Sequence, residues 1–105
     1  TFYPRWDFII CATNQLINHV DKITLMSKNK WNPNMIIRLG KGSDKPLDPG
    51  HQHRGNYLNE FKSMCPNITF YDLKKWDLIE EIYQHCYENG GINVIVEYPE
   101  LYYEA

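Results

Sequence analysis

Two histidines and an arginine stand together at His51, His53 and Arg54, bracketed by Gly50 and Gly55. All three side chains hydrogen-bond, and the glycines let the backbone turn sharply or approach a ligand closely. They fall in residues 40–55, the only long irregular stretch of the chain. A loop of that length in a compact domain is more often functional or mobile than structural. Two blander readings stay open. The three residues are also what a solvated loop without a role contains. An H-x-H pair supplies two metal ligands, but a third would have to come from His19, His85 or a distant carboxylate.

Other constellations carry less. Gly40-Lys41-Gly42-Ser43 lacks the GxxxxGK[ST] spacing of a phosphate loop, and Asp44 and Pro46 follow it where a helix should begin. Glu80 and Glu81 are adjacent on a predicted helix and diverge. Nothing brings Glu97 and Glu100 together as an acid–base pair. His19 and His85 read as partly exposed structural residues. No Ser–His–Asp arrangement emerges from the spacing. The tyrosines Tyr98, Tyr102 and Tyr103 suggest either a stacking surface or packing against a neighbour.

The elements that must position the loop follow from periodicity. Residues 8–26 carry apolar side chains near a 3.6-residue period and predict a helix, with Asp7 as its N-cap. Residues 35–39 predict a short buried strand. Residues 56–64 predict a short helix, broken by Pro66 and Asn67. Residues 68–71 predict a strand rich in β-branched and aromatic residues. Residues 73–89 predict the clearest helix, with Trp76, Ile79, Ile82, Tyr83 and Cys86 on one stripe and Gly90 and Gly91 ending it. Residues 93–97 predict the last strand. Short apolar strands separated by helices imply an α/β fold, a three-layer α/β/α arrangement with a mainly parallel sheet. Ligands of such sheets collect at the carboxyl ends of the strands, where the loop after Leu39 lies.

Length and composition bound the rest. The 105 residues are 43% hydrophobic and 23% charged, with a net charge of −2. That implies a single α/β domain over residues 1–105, burying roughly two thirds of its unfolded surface. Eleven Lys/Arg against thirteen Asp/Glu leave no basic field for nucleic acid. No apolar run approaches the ~20 residues that span a bilayer, so no membrane partner is expected. No secretory leader opens the chain. Cys11, Cys65 and Cys86 are odd in number and widely spaced, which reads as three buried thiols in a reducing cytoplasm.

Several stretches, in order, are similar to those of a known family. They are Asp7-Phe8-Ile9 through Gln15-Leu16-Ile17-Asn18; Met35-Ile36-Ile37-Arg38; Gly50-His51-Gln52-His53-Arg54-Gly55; Cys65-Pro66-Asn67-Ile68-Thr69; and Val94-Ile95-Val96-Glu97 with Leu101-Tyr102. From about residue 6 to residue 103 the chain resembles the later portion of the pyrimidine-binding, transketolase-like domain of thiamine-diphosphate enzymes. It is nearest to the beta subunit of 2-oxoacid dehydrogenase decarboxylase components, with transketolase and deoxyxylulose-phosphate synthase further off.

The resemblance implies a part of a larger domain in an enzyme acting on a 2-oxo acid or ketose, by decarboxylation or C2-unit transfer. It makes His53 the catalytic imidazole of a Gly-x-x-His loop, near the reactive carbon of the cofactor. An imidazole suits that place because it exchanges a proton near neutral pH. It puts His51 and Arg54 beside the substrate. Arg54 departs from the Ser or Gln that many relatives carry, and a guanidinium there could hold a carboxylate or phosphate. Thiamine diphosphate and Mg²⁺ would be bound mainly by parts not in this chain: the family's glutamate and its stacking aromatic residue lie upstream of the matched region. Cofactor-binding residues within the chain are therefore unassigned, and no metal ligand is expected. A diphosphate-binding domain or alpha-type subunit is the implied partner, in a homo- or hetero-oligomer. Trp6, Trp31 and the terminal tyrosines are the candidate interface. Relatives can hold a structural monovalent cation, whose equivalent here would be backbone oxygens between Cys86 and Gly90; the Asn89-Gly90-Gly91 insertion puts this in doubt.

Two alternatives stand beside this reading. One is a non-catalytic α/β assembly module that keeps the fold. The other is a nucleotide-binding or flavodoxin-like domain, against which stands the lack of a Gly-rich phosphate loop.

Overall fold

The structure, a computed structural model, describes residues 1–104, with the side chains of Tyr103 and Glu104 outside the description. Four parallel strands make one sheet in the order β1-β2-β4-β3, where β1 is Phe2–Tyr3, β2 Met35–Gly40, β3 Thr69–Leu73 and β4 Ile92–Glu97. The α/β expectation with its parallel sheet holds. β4 is central. It pairs with β2 from Met35↔Ile92 to Gly40↔Glu97, and with β3 from Thr69↔Asn93 to Leu73↔Glu97.

Strand alternation sorts the core into two layers. Ile37, Leu39, Val94 and Val96 face one way, against Trp6, Ile9, Leu16, Phe61 and Cys65. Ile95 and Leu73 face the other way, packed with Ile36, Tyr71, Ile82, Tyr83 and Cys86. The connections β1→β2 and β2→β3 thus cover one face, and β3→β4 covers the opposite one. Right-handed crossovers require this when the chain steps outward twice and then doubles back.

The first connection departs from the single helix predicted over residues 8–26. It is α1 (Trp6–Ile10), a π-helical stretch Gln15–Val20, and α2 (Ile23–Met26). The Thr13 hydroxyl donates to the Ile10 carbonyl and so takes up an acceptor that helix continuation would need. Further on, the Asp21 N–H reaches back five residues to the Leu16 carbonyl, at 2.9 Å. The wider turn keeps Leu16 buried while Leu25 and Met26 are exposed. The two-residue strand β1 was too short to give a periodic signal.

The other two helices start later than expected. α3 is Leu58–Met64, and α4 is Ile79–Asn89, preceded by a 3-10 turn at Trp76–Leu78. Gly90 and Gly91 end α4 with φ of +67° and +78°, a region L side chains rarely adopt. Two expectations about single residues are corrected. Cys11 is exposed, so only Cys65 and Cys86 are buried thiols. Trp6 is buried, stacked on Phe61 with ring centroids 5.4 Å apart, and is no surface anchor; Trp31 and Tyr102 are exposed.

Candidate functional site

α1 begins three residues after β1, which sets its first turn at the carboxyl edge of the sheet. Arg5 is its N-cap residue, and no side chain caps it. Asp7 therefore does not perform the capping expected of it. Its carboxylate instead faces the loop after β2, where Oδ2 lies 2.7 Å from His53 Nδ1. Both side chains are partly shielded, His53 at 33% and Asp7 at 26% exposure. The Phe8 ring stacks on the imidazole at 6.1 Å and 18°.

Local chemistry explains how the loop delivers His53. Asp48 Oδ1 accepts the Gly50 N–H at 2.8 Å, an Asx turn that reverses the chain. Gly50 adopts φ +92°. His51–His53 then form one 3-10 turn. Residues i and i+3 eclipse in such a turn, which sets Arg54 over His51: its guanidinium lies 2.6 Å from His51 Nδ1 and 3.5 Å from Asp48 Oδ1. Arg54 braces the loop. His51 and Arg54 line an open cleft of about 500 Å³ together with Lys41, Ser43, Asp44 and Glu100. The formal charges there balance, so the cleft is polar but not strongly cationic. Of the three sequence-predicted site residues, the cleft takes His51 and Arg54; His53 is held beside it by Asp7.

A second polar cluster lies on the other face, where sequence reasoning found nothing. Glu97, at the end of the central strand, is 5% exposed. Arg38 grips it in a fork, Nε to Oε1 at 2.9 Å and a terminal nitrogen to Oε2 at 3.0 Å. The Tyr83 hydroxyl donates to Oε1 and the Tyr102 hydroxyl to Oε2. Phe2 lies under the guanidinium, 4.9 Å from ring centroid to carbon. Burial pushes the Glu97 carboxyl up, but the bonds from Arg38, Tyr102 and Tyr83 outweigh it and hold the group below the ordinary glutamate value. Burial and the bond to Glu97 push Tyr102 up to about 12. With both oxygens saturated, Glu97 fastens β1, β2, α4 and the C-terminal turn to β4. It is no acid–base partner of Glu100, which is exposed.

The remaining candidates are bland. His19 and His85 are exposed, and His85 Nδ1 lies 3.1 Å from Asn89 Nδ2. Among the described residues no three His, Cys, Asp or Glu side chains converge on a metal position. Of the backbone oxygens between Cys86 and Gly90, Cys86 O accepts from Gly90 N at 3.0 Å and Gly90 O from Asn93 Nδ2 at 3.1 Å. No described helix is long and apolar enough to cross a membrane.

Asp7 was visible in the sequence and misread as a cap. Arg38 and Glu97 were visible as charges at the ends of apolar strands, a pattern that calls for a partner. No family model, curated protein or solved structure matches this chain.

Proposed function

We propose that the chain is the later portion of a transketolase-like pyrimidine-binding domain in a thiamine-diphosphate-dependent enzyme acting on a 2-oxo acid or ketose. The observation that carries this reading is His53: a partly shielded imidazole at the carboxyl edge of a parallel sheet, oriented through Nδ1 by Asp7. Ligands of parallel sheets gather at that edge.

The resemblance leaves the Mg²⁺–diphosphate end of the cofactor to parts outside the matched residues. The reading therefore assigns both to a diphosphate-binding domain or alpha-type subunit outside this chain. What the chain contributes is a proton held or accepted at His53 Nε2, and hydrogen bonds from the cleft beside it. His51 and Arg54, which both line the cleft, face substrate in this reading, and Arg54 also braces the loop.

A second reading, a non-catalytic assembly module, draws support from Arg54, whose guanidinium is already engaged by His51 and Asp48. Titration calorimetry of the intact protein with thiamine diphosphate and Mg²⁺, with any partner subunit present, separates the two. Micromolar binding, with His53→Ala lowering 2-oxo acid or ketose turnover by about 10²–10⁴-fold, is the outcome expected of a proton-transfer residue. A folded protein that binds no thiamine diphosphate overturns the enzyme reading and leaves the module.

A further inference from the structure

His51 and His53 lie two residues apart on one turn, yet their Nδ1 atoms meet opposite chemistry. The Asp7 carboxylate can only accept a hydrogen bond, so at 2.7 Å the His53 Nδ1 must carry the proton. The Arg54 guanidinium can only donate, so at 2.6 Å the His51 Nδ1 must be the bare nitrogen. We infer that Asp7 and Arg54 lock the two neutral imidazoles in opposite tautomers, so that one 3-10 turn presents a proton acceptor at His53 Nε2 and a proton donor at His51 Nε2.

Asp7 is thereby a positioning residue for His53, and Arg54 for His51. Each fixes the ring by an observation independent of the other: a carboxylate from α1 in one case, the eclipsed i+3 side chain of the same turn in the other. Phe8, stacked on the His53 ring, restrains its rotation, and the Asx turn at Asp48 fixes the turn that carries both rings. His51 presents its N–H to the open cleft it lines, and His53 its bare nitrogen outside that lining. A role in turnover rests on the thiamine reading above; the tautomers do not.

Long-range ¹H–¹⁵N spectra of the uniformly ¹⁵N-labelled full chain, recorded near pH 8 where ordinary imidazoles (pKa about 6.5) are neutral, read both rings directly. The expected result is Nδ1–H with bare Nε2 for His53, and Nε2–H with bare Nδ1 for His51. Asp7→Leu removes the acceptor at Nδ1 and lets the His53 ring move toward Nε2–H without altering His51. Arg54→Leu releases His51 alone. A carboxylate or guanidinium that merely stiffened the loop would move neither ring selectively. Identical tautomers in the unsubstituted protein, or two rings that respond equally to either substitution, overturn the inference. The unsubstituted spectrum decides even if one variant fails to fold. Opposite tautomers in a protein that binds no thiamine diphosphate would sustain the inference while removing the enzyme reading.

Discussion

The backbone of Gly42 runs so close under His53 that a Cβ built on the glycine would lie 1.8 Å from the His53 carbonyl oxygen. Gly42 is buried, so no outward shift relieves the overlap. The glycine is therefore what allows the loop to fold back onto the strand edge and bring His53 to Asp7. Gly42→Ala is expected to cost about 1–3 kcal/mol, in the range of core overpacking. Urea denaturation measures the loss. The same variant should lose the Asp7-bonded Nδ1 proton signal of His53. Full stability with that signal intact would show that the loop has another route.

Arg38 and Glu97 form a pair whose two halves differ in exposure. Removing the partly exposed guanidinium leaves a buried carboxylate with only two tyrosine hydroxyls. Arg38→Ala should then cost about 1–3 kcal/mol, the range for leaving a buried acceptor short of a partner. The double substitution Arg38→Met with Glu97→Leu should recover most of that loss, because apolar replacement removes the desolvation penalty along with the attraction. Chemical denaturation of the single and double variants tests both statements. A single variant as stable as the parent would mean that water reaches Glu97.

The same cluster contributes to the pH dependence of stability. The Glu97 carboxyl titrates lower in the folded chain than in the unfolded one, so the unfolded state binds more protons in acid. Its contribution is complete above an ordinary glutamate pKa of about 4.3 and is lost as the pH falls through the depressed folded value. Tyr102 works at the other end. Raised to about 12, it contributes fully below the ordinary tyrosine pKa of about 10, and that contribution is lost as the pH rises toward 12. Thermal melts across pH should show a plateau between these limits. Glu97→Gln should flatten the acid limb.

The three thiols should separate by accessibility. Cys11 is exposed, whereas Cys65 and Cys86 are buried. Burial, then the charge of Asp21, push the Cys65 thiol up to about 11, which leaves little thiolate at neutral pH. A thiol reagent at neutral pH should label one cysteine in the folded protein and three after unfolding, with Cys11→Ser removing the fast label. Rapid labelling of all three would place the core thiols within reach of solvent.

Periodicity made most of the sheet legible. Residues 35–39 and 93–97 are short runs rich in apolar residues; the fold buries β4 throughout and β2 at Ile37, Leu39 and Gly40, with Arg38 exposed between them. β1 was illegible because two residues carry no period, and its place depends on pairing with Arg38 and Leu39, far along the chain. The broken first connection was hidden because Leu16, Ile17 and Val20 satisfy helical spacing whether the turn holds 3.6 residues or more. At the site, composition and glycine bracketing singled out the loop and its histidines. Asp7 was lost to a local explanation, since an aspartate before an apolar run reads as a cap whether or not it serves as one. Glu97 was lost for the opposite reason: its partners Arg38, Tyr83 and Tyr102 come from three separate parts of the sequence, and only the strand order joins them.

That strand order also dictates when the sheet can form. β4 is the last strand in the sequence and the middle one in space, and every hydrogen-bonded pair except β1 with β2 involves it. Until residues 92–97 are available, β2 and β3 have no neighbour to join them, and the apolar residues of both layers have no common floor. Assembly is therefore all-or-none and late rather than progressive along the chain. It is dominated by distant pairings whose loop-closure entropy must be met before any contact rewards it, which predicts slow folding for a chain of this size. A nascent chain ending before Ile92 would leave open the β4-facing edge of Met35–Gly40 and all of Thr69–Leu73, the kind of edge that other chains bind.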